Sequence, residues 1–141
     1  MRILILLSAL WFAPNLNTDS ANDIVGTWLV EAQNAKVKIY KAKNNKYYGK
    51  IVWLKEPLHP TTKQPVVDAN NPDEELQDQE ILGMLTVKDL VYKRGKWEGG
   101  TIYQPQSGRT YKCKAWLEDG KLNMRGYWGM LYGTSVWTKV K

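Results

Sequence analysis

The dipeptide Asp119-Gly120, set between two runs of alternating apolar and polar residues, constrains this chain more than any other feature. Asp-Gly is favoured in two-residue type I′ loops because both central residues take positive φ, and such a loop leaves the flanking strands one register. Pairing Glu118 with Lys121 predicts Leu117 opposite Leu122, Ala115 opposite Met124, Cys113 opposite Gly126 and Tyr111 opposite Trp128 on one face. Lys112, Lys114, Asn123 and Arg125 fall on the other. A face of rings and aliphatics backed by a face of lysines is a half-buried sheet, with the first face as the interior.

The alternation recurs along the chain. Past residue 23 the runs Ile24–Gln33, Lys36–Lys41, Tyr47–Leu54, Met84–Val87, Leu90–Tyr92, Trp97–Tyr103, Arg109–Glu118, Lys121–Trp128 and Thr134–Val140 are separated by turn residues, with no long 3.6-residue periodicity. About eight strands in one domain of this size predict an all-β fold, a single antiparallel up-and-down β-barrel. A second hairpin joins Lys36–Lys41 to Tyr47–Leu54. A three-residue loop, Asn44-Asn45-Lys46, keeps it in phase, with Ile39 opposite Ile51, Val37 opposite Trp53, and Lys36, Lys38 and Lys50 outward. Closing Pro105-Gln106-Ser107-Gly108 as a turn pairs Gln104 with Arg109 and brings Ile102 to Tyr111 and Gly100 to Cys113, where two small residues predict a narrow or hollow spot.

The first residues read as a secretory signal: Met1-Arg2 is a short basic start, Ile3 to Phe12 is almost unbroken apolar, and Thr18, Ser20 and Ala21 are small. The apolar run is about half of the roughly 20 residues a spanning helix needs, which favours cleavage over a retained anchor. Residues 1–20 are therefore expected to be a signal peptide and residues 21–141 one barrel domain of an exported protein, periplasmic or secreted. Removing Arg2 and Asp19 with the leader leaves the net charge at +6. On an exported protein a basic surface favours an anionic envelope component over nucleic acid. The lone Cys113 rules out an internal disulfide, so stability comes from packing. Six of the seven Trp and all eight Tyr lie beyond the leader beside almost no Phe, which suits positions half in contact with water or ligand and equally suits ordinary strands.

The one long connection runs from Lys55 to Gly83. Asn71-Pro72-Asp73-Glu74 inside it reads as a helix start, with an N-cap, a proline at the first position and carboxylates in the first turn; the helix extends at most to Gln79. A lid at a barrel mouth and a surface crossover both fit. No catalytic set emerges, because nucleophilic catalysis needs a base beside the nucleophile, and the single His59 sits in this loop while Cys113 is interior. Asp68-Ala69-Asn70-Asn71-Pro72-Asp73 departs from a calcium loop at Pro72, lacks the turn glycine and ends on Gln79, so capping explains it better than a metal. We expect no enzyme activity, no cofactor and no metal.

Gly26-Thr27-Trp28 looks like the Gly-x-Trp start of lipocalins, in which that Trp closes one barrel end under an Arg from a late strand. Arg125 is the tempting partner, yet its register sends it outward with Lys114, so either a bulge intervenes or that lock is absent. A wider set resembles the exported bacterial proteins of the domain of unknown function 2147 family over residues 24–141. It comprises Gly26-x-Trp28, Tyr48-Gly49-Lys50-Ile51-Val52, Asp68-x-x-Asn71-Pro72-Asp73, Ile81-Leu82-Gly83, Leu122-x-x-Arg125-Gly126-Tyr127, the terminal Trp137, and the stretch from Trp97 through Gly99-Gly100, Ile102-Tyr103, Pro105 and Gly108 to Tyr111. Gln104 stands where the family usually has Asp, and Thr134 where Arg is common. The resemblance implies a lipocalin- or fatty-acid-binding-like barrel and no established activity.

An interior lined by Val37, Ile39, Ile51, Trp53, Ile102, Tyr111, Met124 and Trp128 is suited to a small apolar or amphipathic ligand, with Trp53, Ile51, Ile102, Tyr111, Met124 and Trp128 as the ligand-binding residues. Inward residues also simply fill small barrels. The competing expectation is a structural or interaction module that meets an envelope partner or anionic polymer through its outer Lys and Trp side chains.

Overall fold

The computed structural model describes residues 20–141, so all of the predicted leader except Ser20 lies outside the described residues. Eight strands follow one another around one closed antiparallel barrel: β1 (Gly26–Leu29), β2 (Ala35–Lys41), β3 (Tyr47–Leu54), β4 (Leu85–Lys93), β5 (Lys96–Gln104), β6 (Arg109–Glu118), β7 (Lys121–Trp128) and β8 (Leu131–Lys139). β1 closes the ring on β8, with Trp28 opposite Lys139 and Leu29 opposite Thr138. The seam is short, so most of β8, from Leu131 to Trp137, is paired along its β7 side alone.

The Asp-Gly hairpin has the expected register from Glu118 opposite Lys121 to Lys112 opposite Tyr127. Asp119 and Gly120 both take positive φ, 51° and 74°, as a type I′ turn requires. Cys113, Ala115, Leu122 and Met124 are buried inside. Asn123, read as outward, is also buried, paired between Trp116 and Val136. The β5–β6 turn likewise pairs Gln104 with Arg109, Ile102 with Tyr111 and Gly100 with Cys113. The spot at that last pair is narrow where Leu90 of β4 packs on it, since a Cβ on Gly100 would collide with Leu90 and the Lys88 carbonyl, and Gly100 and Cys113 also border a cleft with Lys112, Lys114 and Tyr127.

In the β2–β3 hairpin the three-residue loop sits one residue earlier than expected. Ala42 and Lys46 bond across it and Asn45 takes the left-handed conformation at φ 65°, so the loop is Lys43-Asn44-Asn45. A one-residue move of the loop shifts the pairing by two, which preserves inward and outward faces but changes partners: Ile39 meets Gly49 and Val37 meets Ile51. A bulge between Lys36 and Val37 then sets Trp53 opposite Lys36 in place of Val37. It reverses the facing of the last residues of β3, so that Trp53 is exposed while Leu54 packs on the core.

Other boundaries also moved. Met84–Val87 and Leu90–Tyr92 are one strand, β4, carried past a kink where Asp89 has φ 62° and accepts from Tyr48 Oη at 2.7 Å. β8 starts at Leu131, because Gly129 at φ 58° makes a two-residue turn with Met130. The expected first strand, Ile24–Gln33, is shortened to Gly26–Leu29, with a 3-10 turn, Ala21–Ile24, before it and a turn after it in which Gln33 has φ 59°. The helix expected from Asn71 is a single 3-10 turn, Glu74–Leu76, capped by Asp73. Asn71 Oδ1 accepts from the Asp73 amide at 2.8 Å, and this side-chain turn displaces the helix start by two residues.

The two ends of the barrel differ. The first 3-10 turn plugs one end: Trp28 Nε1 donates to the Ile24 carbonyl at 2.9 Å, Trp97 Nε1 to the Ala21 carbonyl at 3.1 Å, and Tyr47 Oη to Asn22 Oδ1 at 3.0 Å. Lys139 takes the place expected for an Arg. Its ammonium lies 4.7 Å from the centre of the Trp28 ring and donates to the Val25 carbonyl at 2.9 Å. Arg125 is outward, as its register required, bonded to Thr134 Oγ1 at 2.8 Å. Above the plug Ile39, Leu90, Val87, Trp97, Ala115 and Leu122 are fully buried, so this half is a solid core.

Candidate functional site

The other half is open. A cup of about 550 Å³ lies between the β1–β2 loop, the β5–β6 turn and the start of β8, within the size range of small-molecule sites. Val37, Ile51, Met124 and Trp137, all nearly inaccessible, form its apolar depth, and Ile102 and Tyr111 its wall. Alternation explains the set: Val37 pairs with Ile51, Ile102 with Tyr111, and Met124 with Ser135 on neighbouring strands. Thr86, Tyr103, Gln104, Asn34 and Glu31 add polar groups, and Glu31 is the one charged side chain in the lining.

Four of the residues predicted from sequence, Ile51, Ile102, Tyr111 and Met124, thus meet in one cavity. Trp53 and Trp128 do not. The β3 bulge puts Trp53 on the outer surface with the Lys36 ammonium 4.8 Å above its ring. Trp128 ends β7 at the rim, 54 % exposed, edge-on to Tyr111 at 5.7 Å with Arg109 over its ring at 5.2 Å. Trp137 was missed, although Gly129 carries the signal: a two-residue turn there sets Leu122 opposite Trp137 and turns that ring inward.

The long connection braces the site through Tyr103 and the β5–β6 turn. Asp68 is fully buried and its oxygens accept from Tyr103 Oη and Asn71 Nδ2, both at 2.8 Å, while its amide donates to the Gln79 carbonyl. Burial, followed by the Asp68 carboxylate that it faces, pushes the Tyr103 phenol up to about 12, so it remains a neutral donor. Next in the chain, Asn70 Nδ2 donates to the carbonyls of Pro105 and Gln106. Gly108, at φ 69°, lies so close that a Cβ there would overlap the Asn70 carbonyl oxygen. These bonds hold the connection against the mouth, where Leu54, Val66 and Ile81 line a side chamber sharing Ile51, Pro105 and Gln106 with the cup. No residue from 55 to 83 lines the cup itself, so the connection runs beside the mouth as a crossover braced to the wall and does not cover it.

Among the described residues no three His, Cys, Asp or Glu side chains converge as a metal site. His59 Nδ1 accepts from the amides of Thr61 and Thr62 within its own turn. Burial pushes the Cys113 thiol up to about 12, far from the thiolate a nucleophile needs.

A closed eight-stranded up-and-down barrel, plugged at one end by an N-terminal 3-10 turn under a Gly-x-Trp and open at the other, is the lipocalin-like class. Among solved structures the chain is similar to a protein titled "Protein HP1028 from the human pathogen Helicobacter pylori belongs to the lipocalin family", with a TM-score of 0.70 at 17 % identity over 84 % of this chain and 83 % of that one. The family described as "Uncharacterized protein conserved in bacteria (DUF2147)" matches residues 26–139, and the chain belongs to it. Comparison with curated proteins finds no match. Both positions where the sequence departs from the family pattern border the cup: Gln104 Oε1 accepts from Ser107 Oγ, and Thr134 turns its hydroxyl to Arg125, so neither brings charge to the mouth.

Proposed function

We propose that this is an exported, non-enzymatic binding protein that holds a small apolar or amphipathic molecule in the open half of its barrel. The observation that carries the reading is the division of the interior: one half is packed solid, while the other keeps about 550 Å³ free above Val37, Ile51, Met124 and Trp137. Side-chain filling, the alternative fate of a small barrel, accounts for the first half alone. The lining favours an uncharged polar end on the ligand, since it offers hydroxyls and amides from Thr86, Tyr111, Asn34 and Gln104 and no cation for a carboxylate or phosphate. Native mass spectrometry of the protein purified from its host is expected to show a small-molecule adduct that is released on denaturation. A bare polypeptide mass, together with no uptake of neutral lipophilic probes, would remove the reading.

A further inference from the structure

The turn between β7 and β8 presents an uncovered apolar tip. Met130 is 100 % exposed, Leu131 74 %, Tyr132 63 % and Trp128 54 %, in five consecutive residues that also include Gly129. Their surroundings are basic. The Arg109 guanidinium lies over the Trp128 ring at 5.2 Å and that of Arg125 over the Tyr132 ring at 4.3 Å, with exposed Lys112 opposite Tyr127. From residue 109 to the end of the chain the only acidic side chains are Glu118 and Asp119, at the plugged end. Across the barrel the connection between β3 and β4 carries Asp73, Glu74, Glu75, Asp78 and Glu80, all exposed. The rim is therefore polarised, with a basic apolar lip on one side and an acidic wall on the other.

We propose that this lip docks on an anionic lipid bilayer, inserting Met130 and Leu131 while Arg109 and Arg125 remain among the headgroup phosphates. Trp and Tyr with cations at their faces are the groups that settle at a membrane interface, one part apolar and one part charged. An anionic surface attracts the lip and repels the acidic wall, which sets the orientation as well as the affinity. A protein partner fits less well. Four side chains on one hairpin tip cover far less than the roughly 800 Å² per side of a stable protein interface, whereas a bilayer needs no matched shape and gains from each inserted side chain. Docking is independent of what the cup holds, although the strand leaving the tip borders the cup at Gly133, Thr134 and Ser135.

The test is flotation with vesicles, using residues 20–141, which carry all eight strands of the closed barrel, because the apolar run at 3–12 would bind lipid on its own. The protein is expected to float with vesicles of equal parts phosphatidylcholine and phosphatidylglycerol, to stay behind with pure phosphatidylcholine, and to be released by salt. Met130→Asp with Leu131→Asp, at largely exposed positions, is expected to cut the vesicle affinity by about tenfold or more with circular dichroism and uptake of a neutral dye unchanged. Equal binding to both vesicle types, or undiminished flotation of the double variant, overturns the proposal. So does a variant that differs only in self-association by light scattering, which would assign the tip to a second copy of the chain.

Discussion

Ile102→Trp is expected to weaken uptake of Nile red, a neutral fluorescent dye, by about tenfold or more while the barrel stays folded. Ile102 is half-buried, pairs with Val87 and Tyr111, and faces the open cup. An indole there occupies space a ligand would use. Because that space is free, the overpacking cost of about 1–3 kcal/mol for enlarging a filled core is largely avoided. Trp53→Ala supplies the contrast. Its ring lies outside under Lys36, so dye uptake is expected to stay at the wild-type level. Fluorescence titration of the three proteins at matched secondary structure decides the matter. A strong loss in Trp53→Ala, or none in Ile102→Trp, would mean that the dye sits elsewhere.

Asp68→Ala is expected to lower stability by about 2–4 kcal/mol, a fall in Tm of about 10 °C, because it strands the Tyr103 hydroxyl and the Asn71 amide at a buried position. Asp68→Asn retains the acceptor for Tyr103 and is expected to cost less than half as much. Thermal melts check both, and a shift under about 3 °C in Asp68→Ala would show that the latch does not hold the connection. The same bond has a pH signature. Tyr103 has its folded-state value raised from 10.0 to about 12, so the folded form binds more proton than the unfolded one in that window. Its contribution is complete below pH 10 and is lost as the pH climbs through 12, by at most about 1.4 kcal/mol per pH unit. Cys113, raised from 9.0 to about 12 by burial, loses its contribution in the same direction, starting one unit lower. Tyr103→Phe is therefore expected to flatten part of the alkaline fall, and Cys113→Ala another part.

Legibility of the fold tracked how tightly a turn limits its strands. Asp119-Gly120 and Pro105-Gln106-Ser107-Gly108 each permit one pairing, and the predicted registers of β5, β6 and β7 agree with those observed. In the β2–β3 hairpin two adjacent asparagines leave the left-handed position ambiguous, and the loop settled one residue away. The bulge that turns Trp53 outward has no local signature, since it answers the three-dimensional closure of the barrel. For the cup, alternation supplied Ile51, Ile102, Tyr111 and Met124, which belong to strands in phase with a readable turn. It could not give the Asp68–Tyr103 bond, which joins residues 35 apart through a connection with no periodicity. The same limit hid the apolar tip: reading β8 from Thr134 left Met130 and Leu131 without an element, although Gly129 marks a turn.

The most direct measurement is the crystal structure of the protein with a bromine-tipped long-chain alcohol, located by anomalous scattering. Bromine density above Ile51, Met124 and Trp137 and beside Ile102, with the hydroxyl near Thr86 or Gln104, is the predicted result. Anomalous density confined to the outer surface, or a cup filled by side chains from the β1–β2 loop and the β5–β6 turn, would contradict an open half-barrel.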